Sequence, residues 1–281
     1  MVAVTENPLA ATLARLAVPL PAWPVQPGPP RGAGWHRYPD LLDDAAVSAL
    51  LGALDGLLRG GPALAAQTLV GRVAGPVASV LAAAVFTERR LPVVEPGGLA
   101  LGRLADDHRI HPPTLALVDA RMLVLPGDPA VGHPDVVVVP HPRVLEAELT
   151  AGLHRLFAPL VETVSRLGRR GRHALWQAVG DRVAVGFLLA GKHLGEPARA
   201  RAEADRTLAR AAKPLNLTVD WLEIEHRGRP ELFKRKSVCC LYYKSAEYRD
   251  EYCTTCPLLP RDESLGRLRA YLDERDGRAQ G

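Results

Sequence analysis

The spacing of apolar residues changes twice along this chain, and those changes constrain its fold class more than any other feature. Over residues 40–59, Leu41, Leu42, Val47, Leu50, Leu51, Leu54 and Leu57 fall on one broad face of a helix. A second helical pattern covers residues 63–88, and Pro76 predicts a bend or a division within it. The pattern then turns to short apolar runs at residues 99–104, 115–118, 122–125 and 135–139, separated by Asp, Gly and Pro. These read as the strands of one small antiparallel meander. From Val144 the helical period returns, with Pro159 expected to kink or divide the first helix. Further helices are expected over residues 172–190, 202–212 and 261–274. The chain reads as α+β, mostly α-helical, with one small antiparallel β-sheet in the middle and a C-terminal cysteine-rich segment.

Punctuation suggests three regions. Residues 1–39 form a Pro/Gly-rich lead-in, because residues 18–34 alone hold six prolines and three glycines. Residues 40–232 make the mostly helical domain, with the meander at about 99–139, and residues 233–281 make the cysteine segment and a closing helix. A chain of 281 residues that is 47% hydrophobic can bury a real core without staples.

Composition excludes some classes. The longest apolar run, AGPVASVLAAAVF at residues 74–86, has thirteen residues and charged flanks. A spanning helix needs about 18–20. No basic residue precedes the first apolar run, so no signal peptide is expected, and the reading is a cytoplasmic protein with reduced thiols. The net charge of +4 invites a nucleic-acid reading, but only five of the 35 basic residues are Lys, no run of five like charges occurs and aromatics are 5%. That balance argues against a nucleic-acid partner. The stretch GFLLAGKH at residues 186–193 nearly spells a phosphate-binding loop. It lacks the preceding strand and the final hydroxyl, so it reads as the end of a helix. His108 and His111 stand in a Pro-rich loop and read as loop residues rather than a metal pair.

All four cysteines, Cys239, Cys240, Cys253 and Cys256, lie within eighteen residues, VCCLYYKSAEYRDEYCTTCP. Adjacent Cα atoms are about 3.8 Å apart, below the roughly 4.4–6.8 Å of an ordinary disulfide. A tight group of reduced cysteines points to metal ligation. In the C-x-x-C half a turn brings two thiolates together, whereas the vicinal pair converges only if the backbone bends or the sulfurs reach a bulky group from different sides. The spacing leaves an iron–sulfur cluster and a four-cysteine zinc site open, although one knuckle and one vicinal pair fits a zinc ribbon poorly. Four of the six tyrosines, Tyr242, Tyr243, Tyr248 and Tyr252, fall in the gap, where they either shield a cluster or pack a loop.

The motif C-C…C-x-x-C-P, with Arg235, Lys236, Ser237 and Val238 before it and Leu241, Tyr242 and Tyr243 after it, resembles the ferric siderophore reductases of the FhuF type. Ala174-Leu175-Trp176 is similar to the helix start ahead of that family's central helix. The gap of twelve residues between the cysteine pairs is longer than the family's usual one, and Ala178 stands where the family commonly has Asn. The resemblance implies a [2Fe–2S] cluster on Cys239, Cys240, Cys253 and Cys256, and one-electron reduction of a ferric siderophore. An external ferredoxin or flavoprotein would supply the electron, since no nucleotide fingerprint is present. Reduction releases iron because hard oxygen donors hold Fe²⁺ less well than Fe³⁺. Lys234, Arg235 and Lys236 are expected beside the cluster, drawing in an anionic chelate. The competing readings are a non-catalytic protein with a structural zinc site and a siderophore-binding module without a redox role.

Overall fold

In the computed structural model, which describes residues 7–106, 113–118 and 120–278, seven helices carry most of the ordered chain. They are α1 (Pro8–Leu16), α2 (Asp44–Leu58), α3 (Pro62–Glu88), α4 (Pro142–Gly168), α5 (Arg172–His193), α6 (Pro197–Arg210) and α7 (Arg261–Arg278). Four of these begin on a proline, whose missing N–H would be unsatisfied in the first turn anyway. The Asp43 carboxylate caps α2 by accepting from the N–H groups of Ala45 and Ala46. Pro76 and Pro159 do not divide α3 and α4. Each proline removes one backbone bond at about 3 kcal/mol. The burial of both helices outweighs that cost: α3 is buried almost throughout, and α4 buries the full length of one face.

The centre of the core is the contact between α3 and α5. Gly186 on α5 sits against Ser79 and Ala82 of α3, where an added Cβ would come within 2.5 Å of the Ser79 carbonyl oxygen. Phe86 and Phe187 meet edge to face with centroids 6.1 Å apart. Gly191 lets α5 approach Ala200 of α6 in the same way. The GFLLAGKH stretch is therefore helical, but its glycines serve close packing, and α5 ends only after His193, where Gly195 takes a positive φ of 73°. By length and composition α3 could cross a membrane, but 94% of its most apolar window is buried inside the protein.

Strands lie to one side. The four expected strands exist, but they divide between two mixed sheets instead of forming one meander. They are β4 (Leu99–Gly102), β5 (Thr114–Leu117), β6 (Arg121–Val124) and β7 (Val136–Val138). One sheet has the order β1-β5-β4-β2, using β1 (Val25–Pro27) and β2 (Trp35–Arg37) from the lead-in; the other has β3-β6-β7, with β3 (Arg90–Val93). β1 pairs parallel with β5, and β7 parallel with β6. The extra strands carry Pro27 and Pro92, tolerated because β1 and β3 are edge strands. The lead-in contributes to the core through Leu9, Leu13, Leu16 and Leu20. A separate hairpin, β8 (Trp221–His226) and β9 (Arg229–Lys234), turns through Arg227 and Gly228, both at positive φ, and rests on α7 through Leu222, Ile224, Leu268 and Leu272. Trp176 is a core residue stacked on His154, centroids 5.4 Å apart.

Gly186→Ala should destabilise the fold by about 1–3 kcal/mol through overpacking of α3 against α5. Urea unfolding measures it; an unchanged midpoint would mean that the helices can separate at no cost.

Candidate metal centre

The cysteine segment begins where β9 ends. Arg235 N–H donates to the Asp220 carbonyl at 2.8 Å and Lys236 N–H to the Thr255 carbonyl at 3.0 Å, so the two halves of the motif run side by side. After the vicinal pair, Leu241 adopts a left-handed conformation, φ 63°, and the chain turns into a short 3₁₀ helix, Tyr242–Lys244. The two neighbouring side chains diverge, Cys239 into the buried cluster with Leu64 and Cys240 toward the cavity. The Cys253–Cys256 half closes a turn in which Cys256 N–H donates to the Cys253 carbonyl at 2.9 Å.

The four sulfurs gather two by two. Cys240 Sγ lies 3.4 Å from Cys253 Sγ, and Cys239 Sγ lies 3.8 Å from Cys256 Sγ. Each pair combines one member of the vicinal couple with one member of the C-x-x-C turn. All four are free thiols. A tetrahedral metal with bonds of about 2.3 Å to sulfur sets its ligand sulfurs about 3.8 Å apart, close to both separations. Among the described residues, no three His, Cys, Asp or Glu side chains converge on a single point that could hold one ion. Cys239 and Cys256 are buried with Leu64, Leu241 and Leu259, whereas Cys240 and Cys253 face a cavity of about 790 Å³.

Charge at the cavity pair is set by Lys236, whose Nζ is 3.2 Å from both Cys240 Sγ and Cys253 Sγ. A hydrogen bond from Cys253 pulls the Cys240 thiol down to about 5, with help from the Lys236 charge. Cys253, donating that bond, is pushed up. Burial pushes Cys239 up to about 11. The Lys236 ammonium loses solvation by burial, but the charges of Cys240 and Cys253 more than offset this and raise its pKa. In the protein without metal, one sulfur of the outer pair is therefore a thiolate near neutrality, while Cys239 stays protonated.

The expected chelate-attracting triplet lies beside the sulfurs, but its charges turn inward. Lys234 is almost wholly buried, with its ammonium on the Asp181 carboxylate and, at 2.7 Å, on the Arg235 carbonyl. Arg235 donates to the carbonyls of Pro257 and Leu259 and pairs with Asp220 at 3.3 Å. Only Lys236 keeps its charge against the cysteines. Partners already within the fold account for Lys234 and Arg235, which is why neither serves as a free surface charge. Of the tyrosines, Tyr243 packs the loop against Tyr252, with tilted rings whose centroids are 5.1 Å apart, and Tyr242, Tyr248 and Tyr252 line the cavity.

Two supporting residues escaped sequence reasoning. Asp181, on α5, accepts from Ser237 N–H at 3.0 Å as well as from Lys234. Arg170 donates to the Cys239 carbonyl at 3.0 Å and to Gln67 at 2.8 Å. An acid inside the apolar run ALWQAVGDRVAVGFLL was the available signal for the first; Arg170 sits among other arginines and carries none. His108 and His111 lie outside the described residues. No protein-family model matches the chain, and no curated protein matches it.

Two outcomes follow from this geometry. In metal-free protein, alkylation of Cys240 should switch on through a pH of about 5, and that of Cys239 only toward about 11. Lys236→Met should move the Cys240 midpoint upward, because a lost cation no longer favours the thiolate; peptide mapping at several pH values would expose an unmoved midpoint. Asp181→Ala should cost about 3–5 kcal/mol, since it leaves the Lys234 ammonium buried and uncompensated. Adding Lys234→Met should restore most of that loss in urea unfolding. Equal stability of parent and Asp181→Ala would deny the ion pair its anchoring role.

Proposed function

We propose that this protein is an iron–sulfur reductase of ferric siderophores, acting in the cytoplasm, with a [2Fe–2S] cluster held by Cys239, Cys240, Cys253 and Cys256. The observation that carries this reading is the two-by-two arrangement of the sulfurs. A two-iron cluster asks for two thiolates at each iron, and Cys239 with Cys256 and Cys240 with Cys253 offer that. The same arrangement suits a single zinc ion less well, because one tetrahedral ion would draw all four sulfurs to one point. The motif's likeness to the FhuF-type reductases agrees.

When bound, the cluster supplies one electron at a time, replenished by an external ferredoxin or flavoprotein. One electron would turn the substrate's Fe³⁺ into Fe²⁺, which the siderophore's hard oxygen donors hold less tightly. The chain's own residues have three tasks. Lys236 places a positive charge beside the outer sulfurs, favouring added negative charge there. Leu64, Leu241 and Leu259 keep water from the inner pair. The cavity beside Cys240 and Cys253 offers a chelate a place within reach of the outer pair. Its volume falls in the usual range of small-molecule sites, about 300–1,000 Å³.

Anaerobically purified protein should be coloured and carry about two irons and two sulfides per chain. Cys239→Ser should lower the iron content and bleach or shift the visible spectrum. Colourless protein with one zinc and no sulfide would defeat this reading in favour of a structural metal site.

A further inference from the structure

The cavity beside Cys240 and Cys253 is lined by five basic side chains against two acidic ones. Most of these charges have partners inside the protein. Lys234 and Asp181 neutralise each other. Arg267, at the rim, donates to the Tyr252 carbonyl at 2.8 Å and to Glu263. Arg72 donates to the carbonyls of Leu104 and Asp106 at 2.7 and 2.6 Å, and Lys236 faces the sulfurs.

Arg182 is different. It follows Asp181 on α5, is half-buried, and lines the cavity with its guanidinium 5.7 Å from the centroid of the Trp23 ring. Among the described residues it makes no ion pair and no side-chain hydrogen bond. Burial lowers its pKa, against the opposing pull of Asp181, Cys240 and Tyr242, and an arginine so placed stays charged. A half-desolvated guanidinium with five donors and no hydrogen-bond partner among the described residues is costly to keep. Such a group is accounted for if an anion visits the cavity.

We infer that the cavity takes an anionic ferric chelate, one whose oxygen donors leave net negative charge on the complex, and that Arg182 is its binding residue. Trp23 forms the flat wall beside the guanidinium, and Gly75 leaves room for its indole, since a Cβ there would come within 2.9 Å of the Trp23 Nε1. This inference rests on the reductase reading for its purpose but not for its measurement.

The probes are two gallium(III) complexes, which cannot be reduced in the experiment: a tris-catecholate carrying charge and a neutral tris-hydroxamate. Calorimetry on the full chain as purified should show tighter binding of the tris-catecholate, weakening with salt as screening sets in. Arg182→Gln should weaken it by about tenfold or more, the scale of one charge-assisted contact, and change the tris-hydroxamate by less than about twofold. Arg182→Lys should fall between. Should Arg182→Gln fail to fold by circular dichroism, the parent's preference and its salt dependence decide the matter. Equal affinity of the parent for both complexes, or unchanged tris-catecholate binding by folded Arg182→Gln, would overturn the inference. Iron and sulfide are assayed on the same preparation. Protein that prefers the anionic complex but holds no cluster sinks the reductase reading alone, and protein with a cluster but no preference sinks this inference alone.

Discussion

A single buried carboxylate fastens the cysteine loop to the core. Asp181 lies on α5, the helix that packs deepest against α3, and burying an unpaired carboxylate there would cost several kcal/mol. The Lys234 ammonium and the Ser237 N–H offset that cost from opposite ends of the same four residues. Because Lys234 closes β9 and Ser237 nearly reaches Cys239, the ion pair joins hairpin, helix and loop. Neither charge can leave without stranding the other. Arg170 and Arg235 extend the same logic to loop carbonyls that no regular structure satisfies.

Backbone alternation explains why the basic triplet behaves as it does. Successive side chains of an extended segment point to opposite sides, so Lys234 and Lys236 share one side and Arg235 takes the other. Lys234 and Lys236 both line the cavity, and Arg235 reaches back toward Pro257 and Leu259. Three consecutive positive charges in the sequence therefore have three separate roles: an ion-pair anchor, a loop brace and a cation against sulfur. A string of like charges says little about surface potential until each side chain's direction is known.

Much of the helical frame was legible because an apolar period of about 3.6 persists over many turns in α2, α4 and α5, and the four cysteines stood out by their crowding. The prolines misled, since Pro76 and Pro159 break helices only where packing does not hold them. The sheets misled for another reason. Strands of three or four residues such as β1, β2 and β7 are too short to show a period, and parallel pairing between distant segments leaves no local trace. The β8–β9 hairpin did leave one, in the alternation of Leu222 and Ile224 with Glu223 and Glu225 ahead of Arg227-Gly228. An acid within an apolar helix marked Asp181 as unusual but not what it holds, and Arg170 carried no signal, because the partners of both lie far away in the chain.

Asp181 and Arg182 show how one helix serves both frame and site. Neighbours on a helix point about 100° apart, so these two side chains need not share surroundings. At the cavity wall Asp181 is engaged by Lys234 and by the Ser237 N–H, while Arg182 has the Trp23 ring beside it and no such partner among the described residues. Charges half removed from water act over a lower effective dielectric, so a single open guanidinium there counts for more than several on the surface. The overall charge of +4 is therefore a poor guide to what the protein attracts. The selective charge is local, on a rigid helix held in register by the ion pair beside it, and facing the same cavity as the outer sulfurs.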